Sequence, residues 1–328
     1  MVVPSFVNYE QVLILSKLQQ QSSNTHKMKK FTYLLFLIIA LAGCGKQAET
    51  QEEKRQKLAN EIKKTFAEVK GDFALAYISL DNPSDSLLIN AYEEFHAAST
   101  MKTPVMIEVY KQANEGKLNL DDSIMIYTRF KSIVDTSTFI LDSSSDSEKT
   151  LFEKEGQLWP LRDVMYKMII ESSNLGTNLL VEMVDAKNIT QTMRELGAPK
   201  INVLRGVEDI KAYRKGLSNS TTAYDLMKIF EGLGNGTVVN KDASEEMIDI
   251  LLDQKYNEII PAKLPQDVKV AHKTGWITGV HHDSALLMLP NGKKYVLVLL
   301  SKNLEDEAKG VEALATASKL LFDYVVSE

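Results

Sequence analysis

Strand-like segments lie at both ends of this 328-residue chain, separated by a long stretch that reads mostly as helix. A sheet built from them must draw its strands from the two termini, so its domain is discontinuous in sequence. Phe73 to Leu80 is a near-continuous apolar run, the pattern of a strand buried on both faces. Asp81-Asn-Pro-Ser-Asp85 supplies turn chemistry, and Ser86 to Tyr92 returns as a second strand. Near the other end, Val268 to His272, Ser284 to Leu289 and Lys294 to Ser301 read as three more, the last two joined by Pro290-Asn-Gly-Lys293. Leu58, Ile62, Phe66 and Val69 recur at spacings of four, four and three, one face of an amphipathic helix, and Leu304 to Val326 forms a closing amphipathic helix. The expected fold is α+β. A discontinuous α/β domain (57–98 and 262–328) carries an antiparallel sheet of about five strands between N- and C-terminal helices, and an all-α domain (99–261) is inserted into it. Within the insert, Ile124 to Gly156 is an irregular, Ser/Asp-rich interruption. The cleft between the two parts is the expected binding site.

The first 56 residues read differently. Lys29-Lys30 precede an apolar run from Phe31 to Leu41, closed by Leu41-Ala42-Gly43-Cys44. A basic start, a short apolar core and a small-residue end make a secretory signal, too short to span a bilayer as a helix. Leu-Ala-Gly-Cys resembles a bacterial lipobox, and Cys44 is the only cysteine, so no intramolecular disulfide is available. The expectation is a lipid on Cys44, a polar tether over 44–56, and a location on the periplasmic face of the envelope. Met28 reads as the start of this signal, which leaves 1–27 as an upstream extension. Residues 1–43 carry four lysines against one glutamate, so the net charge of −6 for the whole chain leaves the remainder near −9. That balance argues against nucleic acid as a partner.

Three short segments carry chemistry. Ser99-Thr100-Met101-Lys102 is the only Ser-x-x-Lys in the chain and opens a helical-looking stretch. Residues three apart share a helix face, which places the lysine amine beside the serine hydroxyl. A hydroxyl becomes a useful nucleophile when a neighbouring base takes its proton. Ser172-Ser173-Asn174 and Lys273-Thr274-Gly275 follow in order. Each alone also reads as ordinary structure, a helix cap or a strand end.

Together the three resemble the Ser-x-x-Lys, Ser-x-Asn and Lys-Thr-Gly motifs of the serine β-lactamase and penicillin-binding protein superfamily. Glu171 to Leu180 resembles the class A stretch that runs from the second motif into a core helix. His272-Lys-Thr-Gly-Trp276 with Gly279 resembles that family's catalytic edge strand, and the likeness covers about residues 52–326. It implies a β-lactamase/transpeptidase-like fold in which Ser99 is the nucleophile, Lys102 assists its deprotonation and Ser172 relays a proton to the leaving nitrogen. Lys273 would hold that hydroxyl and an anionic substrate group, with Asn174, Thr274 and Gly275 also contacting substrate. The backbone N–H groups of Ser99 and Trp276 would form the oxyanion hole. No cofactor and no metal are implied, and the protein is expected to act as a monomer.

Three departures from the pattern stand out. Ser173 replaces the usual aspartate of the second motif. The deacylating glutamate has no clean motif; in Leu204-Arg-Gly-Val-Glu-Asp-Ile-Lys-Ala212, Glu208 is the nearest candidate and Asp209 the next, with a solvated surface acid as the alternative for either. No arginine follows the third motif to clamp a carboxylate, and His281-His282-Asp283 occupies that region. Neighbours on a strand point to opposite faces, which disfavours chelation of one ion by both histidines; His281 is expected to line the cleft. Trp276 either stacks on substrate or packs in the core. The expected function is a class A-type serine hydrolase that opens β-lactam rings. The expected partner is a small-molecule β-lactam or a peptidoglycan-like substrate; a D-alanyl-D-alanine peptidase or esterase relative that turns β-lactams over slowly, and a non-catalytic envelope binding lipoprotein that keeps the fold as a ligand sensor, are the alternatives.

Overall fold

The computed structural model describes residues 49–328 and, upstream of them, Leu13, Ile14, Lys17 and Gln21. The signal segment and Cys44 lie outside the described residues. Glu52–Glu328 form one unit, and it is this unit that carries the sheet and the cleft.

The chain enters through α1 (Gln51–Ala67), whose Leu58, Ala59, Ile62 and Phe66 are buried. The helix therefore starts inside the segment expected to be tether, its first turn carrying the acidic Glu52 and Glu53 that favour a helix N-terminus. Strands β1 (Asp72–Ser79) and β2 (Ser86–Ile89) follow. After a two-residue strand β3 (Phe95–His96) the chain leaves for the inserted lobe, and it returns as β9 (Lys269–Ile277), β10 (Val280–Met288) and β11 (Lys294–Lys302). The sheet is antiparallel throughout, in the order β2-β1-β11-β10-β9, so β1 pairs with the last strand and β9 forms the edge. β9 and β10 extend beyond the expected His272 and Ser284, because the polar motif residues continue the ladder to a tight Thr278-Gly279 turn with Gly279 at φ +75°. The final helix, Glu307–Ser327, starts at an Asp306 cap that accepts from Lys309 N.

β1 is buried on both faces, and its alternation sorts two cores. Phe73, Leu75 and Tyr77 meet Leu58, Ile62 and Phe66 of α1 together with Leu314 and Leu321 of the final helix. Phe66 and Phe73 stack at 4.6 Å between ring centroids. Ala74, Ala76 and Ile78 face the other way, and their core runs without a break into the inserted lobe. One of the two cores is thus shared between the sheet and the inserted lobe.

The lobe is built on α2 (Lys102–Asn114), buried on nearly every side, as a central helix must be. Around it pack α3 (Leu161–Ile170), α4 (Asn174–Val184) and α5 (Ala186–Glu195). A short α6 (Ile210–Arg214) precedes α7 (Ala223–Gly234), which lies on the sheet, and α8 (Lys241–Leu252). The final helix is α9 in this order. The lobe is not wholly α: β4 (Ser123–Met125) pairs with β7 (Leu158–Pro160), β5 (Arg129–Lys131) with β6 (Thr138–Ile140), and β3 with β8 (Ser220–Thr221). The β5–β6 ribbon lies within the Ser/Asp-rich interruption, and the β4–β7 ribbon brackets it, where turn chemistry outweighs helix propensity.

Buried Asp85 ties the terminal helices to the sheet. Tyr77 OH of β1 and Tyr324 OH of α9 each donate to it at 2.9 Å, and Arg55 of α1 approaches at 3.5 Å. Asp85→Ala leaves two tyrosine hydroxyls without that acceptor. We expect a loss of about 2–4 kcal/mol of stability, measured as a lower urea midpoint with an unchanged m-value.

Candidate active site

The Ser99 turn is held from three sides. β3 pairs with β8, Ala97 N donates to Asn219 O at 2.8 Å, and Ala98 N donates to His96 Nδ1 at 3.0 Å. Ala98 is thereby fixed at φ +44°, a left-handed conformation that costs a non-glycine residue energy. The 3₁₀ turn Ala98–Met101 leads straight into α2 and leaves Ser99 partly exposed at the mouth of a cleft of about 1010 Å³. Gly275 of β9 crosses this turn closely. A Cβ there would lie 3.1 Å from Ser99 N and from Thr100 N, so any larger residue would push the Ser99 turn away from the strand.

The second motif links α3 to α4. Ser172 has φ +60°, and Ser173 caps α4 by accepting from Gly176 N at 3.0 Å. A carboxylate from elsewhere in the chain reaches the start of α4. Asp146, in the irregular interruption, accepts from Asn174 N and Leu175 N at 2.9 and 2.8 Å. Ser147 Oγ donates to Glu171 O at 2.5 Å.

Lys102 and Lys273 are both 0 % exposed and converge on Ser172. Lys102 Nζ donates to Ser172 O at 2.6 Å, Ser172 Oγ at 3.1 Å and Asn174 Oδ1 at 3.0 Å. Its three donors go to the second motif and none to Ser99 in the free protein; a buried ammonium goes where acceptors converge. Lys273 Nζ donates to the same Ser172 Oγ at 3.1 Å and to Thr274 O at 2.9 Å. With both lone pairs engaged by lysines, the Ser172 hydroxyl has its own O–H left to donate outward.

Burial lowers the Lys102 pKa to about 7, against the opposing pull of Asp146 and Glu208. Burial, and then the charge of Lys102, bring Lys273 well below its ordinary value. Two ammonium groups on one oxygen repel, so near neutral pH the pair readily gives up a proton.

Glu208 and Asp209 part company. Asp209 is buried as the cap of α6, accepting from Ala212 N, Ser132 Oγ and Ile133 N, each at 3.0 Å. Glu208, at φ +63°, turns the other way and accepts from Asn174 Nδ2 at 2.8 Å. Asn174 therefore bridges Lys102 and Glu208 through its two amide ends. Burial raises the Glu208 pKa. One turn along α4, Asn178 clamps the same loop: its Oδ1 accepts from Val207 N at 2.6 Å and its Nδ2 donates to Val207 O at 3.0 Å. A Cβ on Gly206 would overlap Asn178 Oδ1, which explains the glycine.

Thr274, Trp276 and His281 line the opposite wall. Trp276 is 61 % exposed, so it is a cleft residue and not a core one. His281 Nε2 lies 3.1 Å from Glu307 Oε2, while His282 is buried against His96 O at 2.8 Å, the opposite-face arrangement expected for strand neighbours. Asp146, Asn178 and Glu307 escaped the sequence reading. Asn178 stands four residues after Asn174 and was in principle visible as a same-face pair; the other two are far in sequence from the motifs and carry no local signal.

Asn178→Ala should free Val207 and loosen the Glu208 loop. The expected result is a stability loss of about 1–3 kcal/mol and faster amide exchange confined to residues 204–209, read by hydrogen-exchange mass spectrometry.

Comparison with known proteins agrees with this geometry. Residues 57–325 match the Beta-lactamase enzyme family. A beta-lactamase of Bacillus licheniformis is 27% identical over 310 residues, 91% of this chain and 95% of that relative. The extended-spectrum beta-lactamase PER-1 of Pseudomonas aeruginosa is 22% identical over 261 residues, 75% of this chain and 80% of its own length. Among solved structures, PBP-A aligns with a TM-score of 0.72 at 22% identity, covering 83% of this chain and 97% of that one. A class A beta-lactamase from Bacteroides cellulosilyticus aligns with a TM-score of 0.70 at 20% identity, covering 84% and 99%. The structural likenesses carry the fold. With the family match spanning the whole unit from α1 to α9, the resemblance read from three motifs holds, and the chain belongs to the beta-lactamase enzyme family.

Proposed function

We propose that the protein is a serine β-lactamase that opens the lactam ring through an acyl-enzyme on Ser99 and releases product by hydrolysis. The observation that carries this reading is Asn174, which joins the buried Lys102 to Glu208 while Ser172 joins Lys102 to Lys273. One connected network thus reaches both a base for acylation and a base for deacylation.

In the first step Ser99 Oγ attacks the lactam carbonyl carbon and its proton passes to the neutral amine of Lys102. Burial brings that amine's pKa to about 7, so the base form is well populated at neutral pH. The oxyanion is received by the N–H groups of Ser99 and Trp276. As the C–N bond breaks, the leaving nitrogen takes the Ser172 hydroxyl proton, which a lysine N–H on the same oxygen replaces. In the second step Glu208 takes a proton from water, the hydroxide adds to the ester carbonyl, and as the ester C–O bond breaks the proton held on Glu208 is returned to the leaving Ser99 oxygen. Lys102 is not bonded to Ser99 Oγ in the free protein; catalytic hydrogen bonds commonly tighten only once substrate is bound.

Intact-protein mass spectrometry with benzylpenicillin tests the scheme. Wild type should hydrolyse the drug with little lasting adduct, Ser99→Ala should show none, and Glu208→Gln should acylate and keep the adduct. A lasting adduct on wild type would indicate the slow-turnover penicillin-binding relative, and labelling that survives Ser99→Ala would place the nucleophile elsewhere.

We further infer a monomeric lipoprotein, anchored through Cys44 and facing the periplasm. The lipobox-like run ending at Cys44 and the acidic remainder support this reading. Expressed with its signal in a bacterium, Cys44→Ser should leave the membrane fraction; retention as tight as wild type would overturn the anchor.

A further inference from the structure

Ser99 takes its position from the residue before it, and that residue is held by an imidazole. Ala97 N donates to Asn219 O at 2.8 Å, and Thr100 N donates to Ala97 O at 3.0 Å, so Ala97 is fixed by backbone alone. Ala98 N has a different kind of partner, His96 Nδ1 at 3.0 Å. With Ala98 at φ +44°, this bond braces the left-handed residue that leads directly to the Ser99 amide. A neutral imidazole has one donor and one acceptor, so a ring that accepts at Nδ1 carries its proton on Nε2. His96 is half-buried in the cleft wall and is itself anchored: it pairs with Ser220 across β3 and β8, and His282 Nε2 donates to its carbonyl oxygen at 2.8 Å.

The groups around the ring favour its neutral form. Burial and then the charge of Arg205 oppose an imidazolium and lower the His96 pKa. Arg205 is fixed in place, with Nε donating to Leu217 O at 2.9 Å and Nη1 to Gly206 O at 2.8 Å. Asp209, whose charge faces Arg205, is committed to the α6 cap. The Tyr213 ring of α6 meets His96 edge-on at 6.1 Å between centroids. Buried His282 of β10 has its pKa lowered to about 4 and stays neutral. Lys302 of β11 lies over the neighbouring Phe95 ring at 4.6 Å, a further positive charge at this strand.

We propose that His96 is a positioning residue for acylation: its neutral ring holds Ala98 so that the Ser99 amide and hydroxyl are set for attack, and a proton on Nδ1 releases them. This rests on the acylation of Ser99 proposed above. An imidazolium turns an N–H toward the Ala98 N–H, two donors face to face, and the strained residue loses its brace. Acylation then needs two groups in their base forms. Lys102, with a pKa of about 7, loses its base form first as pH falls. His96 follows at lower pH, below the ordinary histidine range.

The test is the pH dependence of benzylpenicillin ring opening at low substrate, whose second-order rate reports acylation. In wild type the rate should fall about tenfold per pH unit as Lys102 protonates, steepening to about a hundredfold once His96 does. His96→Asn keeps an oxygen that can accept from the amide two residues on, as in an Asx turn, and does not titrate. It should recover most of the neutral-pH rate and show no steepening. His96→Phe removes the acceptor, and its rate should be lower by about tenfold or more at every pH, part of the effect of deleting an oxyanion donor. An imidazole nitrogen NMR spectrum of wild type at neutral pH should show His96 Nδ1 without a proton. Steepening that persists in His96→Asn would assign the second proton to the lysine pair; that result, a His96→Phe protein as fast as wild type, or a protonated Nδ1 would overturn the proposal while leaving Ser99 acylation standing. Absence of both ring opening and adduct in all three proteins would remove the acylation reading, and this proposal with it.

Discussion

The oxygen of Ser172 accepts hydrogen bonds from two lysines that have no exposed surface. Removing an ammonium group from water is expensive, and two of them on one acceptor are tolerable only if the site can shed a proton. Much of the surrounding architecture serves that condition. α2 delivers Lys102 from below, the edge strand β9 delivers Lys273 from the side, and the α3–α4 link presents Ser172 between them. Asp146 and Glu208 supply the negative charge that keeps Lys102 from being depressed further.

Holding this cluster requires unfavourable backbone. Ala98, Ser172 and Glu208 adopt positive φ without being glycine, and they are the residue before the proposed nucleophile, the proposed proton relay and the proposed hydrolytic base. Such conformations persist only where neighbours over-determine them. Here the neighbours are identifiable: His96 and Asn219 around Ala98, Ser147 beside Ser172, Asn174 and Asn178 beside Glu208. The Ser/Asp-rich interruption is thus part of the site's frame, since it contributes both Asp146 and Ser147.

The sheet with strands from both termini was legible because apolar runs and turn residues are local signals, and the three motifs because the chemistry restricts residue type at fixed spacing. The β9 and β10 ends were not, since Lys273 and Thr274 interrupt the apolar pattern while continuing the ladder. Adjacent acids 208 and 209 could not be separated from sequence; the helix cap at Asp209 and the turned backbone at Glu208 separate them in space. Nothing near Ser173 announces that Asp146 accepts from the first amides of α4, because that contact closes a loop through the interruption. Burial of two lysines, the property that sets their proton affinities, is likewise a consequence of packing that no local pattern encodes.

The pairing of β1 with β11 has a consequence for how the molecule is made. Asp72 faces Lys302 in the ladder, so the first central strand emerges from the ribosome long before its partner exists. At about 5–20 residues per second, the wait is roughly 10–40 s. For that interval β1 has a row of unpaired amides and carbonyls and two apolar faces, the features that invite pairing with another chain. Contacts of such long sequence separation also slow the search once synthesis ends. Chain ends that close last make the nascent protein dependent on being kept from misassociating until β11 has been made.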